Sequence, residues 1–272
     1  MLRIEGDGFI KGKCIEIFPS NFDVNSDLFD VLVELNKFSE ELKNDFVVFK
    51  HETPEEKQKV IAMVVFIRLL EIIQAFIILA SKGVREELHS LFRIFLDAYF
   101  VLANCCTDPD FIPIYFLSDE CARLKILNSS LKHKSDLFKK TKEYAEKERD
   151  ELDQRVKDEK IQAFNSFLYA KNVDCEEIYD SLYRINSASI HTSPRCLGHY
   201  VEVDRMGNIV LIKHHPDPEQ TNRCTYDISH FFIKAISGIC ELFSLDYEDR
   251  INDFCSRLEI AASAIDKTQP QL

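Results

Sequence analysis

The chain has 272 residues, with 46 Asp+Glu against 34 Lys+Arg, a formal charge of -12 and 46% hydrophobic content. These values exclude intrinsic disorder, and the acidic balance excludes broad nonspecific binding to nucleic-acid backbones, which needs Lys and Arg to displace counterions. Seven Gly and eight Pro are too few for a collagen or a many-turned β-sandwich and suit long helices. Nine cysteines, two of them adjacent (Cys105, Cys106) and none in a CxxC pair, do not form a secreted disulfide framework and imply a reducing compartment. Met1 to Gly8 lacks the apolar run of a signal peptide, so a cytoplasmic address is expected.

In chain order, residues 1–24 alternate loosely around Gly6, Gly8 and Gly12, which predicts a short hairpin or extended arm. Leu28, Val31, Leu35, Phe38 and Leu42 follow at helical spacing, predicting a first helix from Asp27 to about Lys50. Thr53-Pro54-Glu55-Glu56 reads as a capping box opening a second helix, with Gly83 expected to end it. Val60 to Ala80 is long and apolar enough to raise a membrane span. Arg68, Glu71 and Gln74 share one strip of that helix, and charge at a bilayer centre is costly, so a central helix of a bundle is the expectation. Arg68 and Glu71 are expected as a buried pair fixing helix register.

A third helix is predicted over Arg85 to Cys106 and a fourth from Asp108-Pro109 to about Leu131. Residues 132–160 are charged at nearly every second position, with a sparse apolar line at Leu137, Tyr144, Leu152 and Val156. They predict a solvated helical arm, as one half of an antiparallel hairpin or a dimer arm. Asp174-Cys-Glu-Glu177 suggests a further helix with an acidic cap, stopped by Ser193-Pro194. Residues 199–213 hold the best strand pair, Tyr200-Val-Glu-Val and Ile209-Val-Leu-Ile about a turn with Gly207. Two more helices are expected, from about Glu219 to Leu245 and from Tyr247 to Ile265, with a loose tail after them. The chain therefore reads as all-α, a multi-helix bundle in one domain, with a charged helical arm and a small inserted β-hairpin.

Two constellations suggest chemistry. In Arg184-Ile-Asn-Ser-Ala-Ser-Ile-His191, the residues Arg184, Ser187 and His191 stand at i, i+3 and i+7 on one face. Asp180 is placed to pair with Arg184, and Ile178, Leu182 and Ile185 make the opposing apolar stripe. Arginine grips phosphate bidentately and histidine moves protons near neutral pH, the side-chain types that metal-independent RNA cleavage requires. On the third helix, Glu86, Ser90, Arg93, Asp97 and Asn104 fall within a strip about 60° wide, with His89 at its border. That strip predicts a polar seam enclosed by other helices, either a structural salt bridge or a lining in which Arg93 is a second phosphate ligand oriented by Asp97. His191, Cys196 and His199, with His214 and His215, match no common structural zinc spacing, and no metal or other cofactor is expected. P-loop, GxGxxG, GxSxG and HExxH motifs do not occur.

Arg184 followed by six residues and His191 resembles the R-x4-6-H signature of the HEPN superfamily, helical proteins that in many branches are ribonucleases of toxin-antitoxin, CRISPR and phage-defence systems. Ile185 stands where that motif often has a polar residue, with Asn186 one later. The Glu86 to Asp97 stretch and Ser187 to Pro194 also resemble a large family of uncharacterised bacterial helical proteins, over about Pro54 to Leu245. The resemblance implies a metal-independent endoribonuclease with Arg184 holding phosphate and His191 as general acid/base. Asn186, Ser187, Arg93 and Asp97 would support them, and RNA would bind at a local site. The separation of Arg184 and His191 by two turns, roughly 10 Å along the axis, makes a homodimeric site the corollary, an antitoxin or defence-system subunit is a further expected partner, and no membrane is expected. The alternative reading is a noncatalytic helical module that binds a protein or a nucleotide-like ligand.

Overall fold

The computed structural model describes residues 26–46, 53–82, 84–132, 139–191, 193–212 and 218–266. The expected N-terminal hairpin, the helix-ending Gly83, Leu137, His214, His215 and the C-terminal tail lie outside them. The described chain is an all-α multi-helix bundle with a small β-hairpin. Its long helices are α1 (Ser26–Leu42), α2 (Pro54–Ala80), α3 (Arg85–Thr107), α4 (Phe111–Lys132), α5 (Lys139–Asp158), α10 (Pro218–Phe243) and α11 (Glu248–Asp266). Shorter pieces α6 (Ser166–Asn172), α7 (Glu176–Ile178), α8 (Arg184–Ile190) and α9 (Pro194–Gly198) fill the middle of the chain.

The first helix ends earlier than its periodicity predicts. After Leu42 the chain tightens into a 3-10 turn, Lys43–Asp45, leading to extended Phe46. The capping box of α2 forms as expected: Thr53 Oγ1 accepts from Glu56 N at 3.2 Å, and Thr53 N donates to Glu56 Oε2 at 3.2 Å. Helix α2 packs against α1, α3 and α10. Helices α2 and Glu86–Thr107 are both long and apolar enough to cross a membrane, yet 61% of the most apolar stretch of α2 is buried inside the protein. Phe66, Leu69, Ile73 and Phe76 meet Phe92, Phe95, Phe100 and Phe232 in a core where aromatic rings stack and abut edge to face.

The polar positions of α2 divide. Gln74 is buried and donates to Glu40 Oε1 on α1 at 2.7 Å. Arg68 and Glu71, expected as a buried pair, instead face solvent 3.4 Å apart with more than half of each side chain exposed. They do not fix register. Both stand on the side of α2 opposite buried Phe66 and Ile73, and an exposed pair of this kind contributes little.

The charged arm forms as α5, antiparallel to α4. Arg149 Nε donates to Asn128 Oδ1 at 3.1 Å, Arg155 pairs with Glu120, and Leu127, Ala145 and Leu152 make a small satellite core with Leu124 and Val156. Tyr144, expected on the apolar line, is exposed and hydrogen-bonded to Arg123 and Glu148, and Ala145 takes the inward place. In the hairpin, β1 (Val201–Val203) pairs antiparallel with β2 (Ile209–Ile212), Val201 opposite Ile212. Asp204 organises its turn by accepting from Met206 N and Asn208 N, and Gly207 supplies the positive φ of +82°.

Truncation should separate core from surface on α2. Phe66→Ala is expected to cost about 3–5 kcal/mol in urea unfolding, whereas Arg68→Ala is expected to stay within about 0.5 kcal/mol of the parent.

Candidate active site

The expected polar seam exists, and α3 carries it into contact with α6, α8 and α9. At its centre Arg93 pairs with Asp97 one turn on and donates to the Tyr183 hydroxyl. Its guanidinium carbon lies 4.6 Å from the centroid of the Tyr183 ring. Asp97 Oδ1 accepts from Ser166 Oγ at 2.5 Å and from the Tyr183 hydroxyl at 3.0 Å. Burial, with the neighbouring Asp97 charge, pushes the Tyr183 phenol up to about 12, against the hydrogen bond to Ser166 and the Arg93 charge. At the far end, buried Asn104 donates to Phe100 O and Tyr169 O, tying α6 to α3. Arg93 and Asp97 are thus partners of each other and of Tyr183.

The near end of the seam is a second cluster. Glu86 is buried, and burial alone would raise its carboxyl. Hydrogen bonds from His199, Cys196 and Ser189 outweigh that and hold it below the usual carboxylate range. His199 Nδ1 lies 2.7 Å from Oε1, while Ser189 Oγ and Cys196 Sγ reach Oε2 at 3.0 and 3.2 Å. One turn along, His89 Nδ1 stands 2.7 Å from Asn186 Oδ1, and Asn186 Nδ2 donates to Leu182 O at 2.6 Å. Because the amide nitrogen is already spent on a carbonyl, Oδ1 is the acceptor and Nδ1 of His89 carries the proton. The His89 and His199 rings are 6.4 Å apart, centroid to centroid.

The helix carrying Arg184 runs from Glu176 to Ile190 and is stopped before Ser193-Pro194 as expected, but it contains a π turn and lacks the expected acidic cap. Asp174 takes a left-handed φ of +54° and does not cap. Cys175 precedes the single turn α7, Tyr179–Tyr183 form a π turn, and only then does α8 begin. A π turn inserts one residue into the helical ladder, so the inward face moves on by one position. Ile185, expected in the apolar stripe with Ile178 and Leu182, is consequently 53% exposed, while Asn186 is 3% exposed against α3. Ser193-Pro194 both stops α8 and starts α9, with Ser193 Oγ accepting from Cys196 N.

The predicted site residues therefore divide between two sides of α8. Asn186 faces inward onto His89. Ser187 is half-buried and its hydroxyl donates to Tyr183 O at 2.7 Å. Arg184 faces outward, 2.9 Å from Asp180 as its spacing predicts and 5.6 Å from the Tyr179 ring centroid, and His191, the residue after α8, is exposed. The seam reaches α8 through Tyr183, Asn186 and Ser189, the last of these two residues before His191. Sequence reasoning did not assign roles to Tyr183, Ser166, Ser189 and His199. They lie 69 to 113 residues from their α3 partners, so no local period links them. Among the described residues no group of three or more His, Cys, Asp or Glu is placed to hold a metal.

A helical bundle whose third helix carries a polar seam, closed by a helix with an internal π turn that exposes an Arg on its outer side and a His at its end, is the class of protein these elements define. Residues 59–209, more than half of the chain, match DUF5677, a family of unknown function, and the chain belongs to that family. No curated protein matches it, and no solved structure does.

The first measurement tests the seam and the second a buried carboxyl on α10. Asp97→Ala leaves the Arg93 guanidinium without its carboxylate and the Ser166 hydroxyl without its acceptor and should cost about 2–3 kcal/mol in chemical denaturation. Asp227 on α10 is raised to about 6 by burial, against the pull of Arg223. A carboxyl raised in the folded state contributes stability that is present below its unfolded value of 3.8 and is lost as pH rises through about 6. Asp227→Asn should therefore stabilise the protein at pH 7.5 by about 3 kcal/mol and lose that advantage by pH 4, in paired thermal melts.

Proposed function

We propose that this protein is a HEPN-like, metal-independent endoribonuclease of cytoplasmic defence or toxin-antitoxin regulation, acting as a homodimer, in which Arg184 holds the scissile phosphate and His191 transfers a proton. The observation carrying this reading is the exposure of Arg184 and His191 at the two ends of α8, while the helix's inner side is spent on the seam. The guanidinium is held by Asp180 and the Tyr179 face at one end of α8, and the imidazole stands at the other. The R-x6-H resemblance supplies the chemistry: a guanidinium neutralises the phosphorane charge, and an imidazole near neutral pH serves as base or acid. The helix rises about 10 Å between them, so a second copy facing the first would complete the cleft. With a net charge of -12, RNA is confined to that cleft rather than spread over the surface. Arg93 and Asp97, through Tyr183, and Asn186, through His89, support the site by holding this helix on α3, and Ser187 ties its own turn to Tyr183 O.

The test is cleavage of a mixed RNA pool in EDTA by wild type and by His191→Ala with unchanged helical circular dichroism. Wild type is expected to cut, and the variant to be slower by about 10²–10⁴-fold. An inert wild type would favour the noncatalytic module, for which the closed Arg93–Asp97–Tyr183 network is a natural scaffold.

A further inference from the structure

Cutting RNA without a metal moves two protons. The 2′-hydroxyl loses one as its oxygen bonds to phosphorus, and the 5′-oxygen gains one as the P–O5′ bond breaks, leaving a 2′,3′-cyclic phosphate and a 5′-hydroxyl. The attacking and departing oxygens lie on opposite sides of phosphorus, so base and acid must come from two positions. Arg184 and His191 supply one proton carrier and one cation.

The described residues hold few groups that can be the second carrier. His89 has Nδ1 committed to Asn186, and its Nε2 is sealed from solvent. His230 lies on α10 between Tyr226 and Phe231, half-buried and lowered by desolvation. Asp97 is consumed by Arg93, Ser166 and Tyr183. His199 differs on each count. Its side chain is 40% exposed, and Nδ1 lies 2.7 Å from a carboxylate that is itself 5% exposed and pinned by Ser189 and Cys196. An ionised carboxylate only accepts, so Nδ1 donates and Nε2 is the nitrogen left for substrate. A buried carboxylate setting the tautomer and aim of an exposed imidazole is the arrangement by which general acid/base histidines are oriented. His191 directly follows α8 and His199 directly follows α9. Ser189, two residues before His191, and His199 both reach the Glu86 carboxylate, so the end of α8 that leads to His191 and the end of α9 that leads to His199 meet at one group.

We propose that His199, oriented by Glu86, is the general acid that protonates the departing 5′-oxygen while His191 takes the proton from the 2′-hydroxyl. This assignment rests on the ribonuclease reading above. Glu86 is a positioning residue in it. The two imidazoles exchange their protons with water between turnovers, so no other reactant is consumed.

The test compares an ordinary oligoribonucleotide with one whose scissile 5′-oxygen is replaced by sulfur, since a thiolate departs without needing a proton. His199→Asn keeps an amide N–H for Glu86 and removes Nε2. It is expected to slow cleavage of the ordinary substrate by about 10²–10⁴-fold and of the sulfur-bridged substrate by less than about tenfold, whereas His191→Asn slows both. If His199→Asn loses helical circular dichroism, His199→Gln is put through the same pair. Equal slowing on both substrates, or no slowing on either, overturns the assignment while leaving the ribonuclease reading standing. A wild type inert on both substrates overturns that reading itself.

Discussion

Two carboxylates on α3, Glu86 buried and Asp97 half-buried, lie beside an apolar core, and the middle of the chain is built around that constraint. Glu86 and Asp97 lie on the same face as Arg93 and Asn104, while the remaining circumference of α3 is taken up by α2 and α10. A carboxylate placed in such a bundle without partners costs several kcal/mol. The short elements between Ser166 and His199 bring those partners. Ser166 and Tyr183 serve Asp97, and Ser189, Cys196 and His199 serve Glu86. Regular long helices could not deliver five side chains from so short a stretch of chain to one face of α3, and the π turn, the break at Ser193 and the turn of α9 are how the backbone does so.

The same constraint separates the two sides of α8. By adding a residue to the ladder, the π turn rotates Tyr183 and Asn186 towards α3 and releases Ile185 and Arg184 to solvent. The inner side then holds tertiary structure and the outer side is available for chemistry. The DUF5677 match, which begins in α2 and runs into the hairpin, contains the seam and both sides of α8.

Much of this was legible in the sequence where one element suffices. The seam was readable because Glu86, Arg93, Asp97 and Asn104 obey a helical period within α3, and the Asp180–Arg184 pair because its partners are four residues apart. The capping box at Thr53 and the hairpin turn at Asp204 are equally local. His199 carries no local signal of its place, because its partner Glu86 lies 113 residues away.

Composition and helical periodicity thus determined the all-α bundle, its long helices, the charged α5 and the strip on α3, since each depends on side chains within a few turns of one another. Tertiary structure alone decided where those helices break and which residues face in. The π turn at Tyr179–Tyr183 carries no sequence signature, because the extra residue is set by the need to reach His89 and Arg93 from outside. It likewise decided that Arg68 and Glu71 are solvated and that His199 is held on Glu86. Burial and orientation are properties of what packs against a helix, and a period along one chain segment does not contain them.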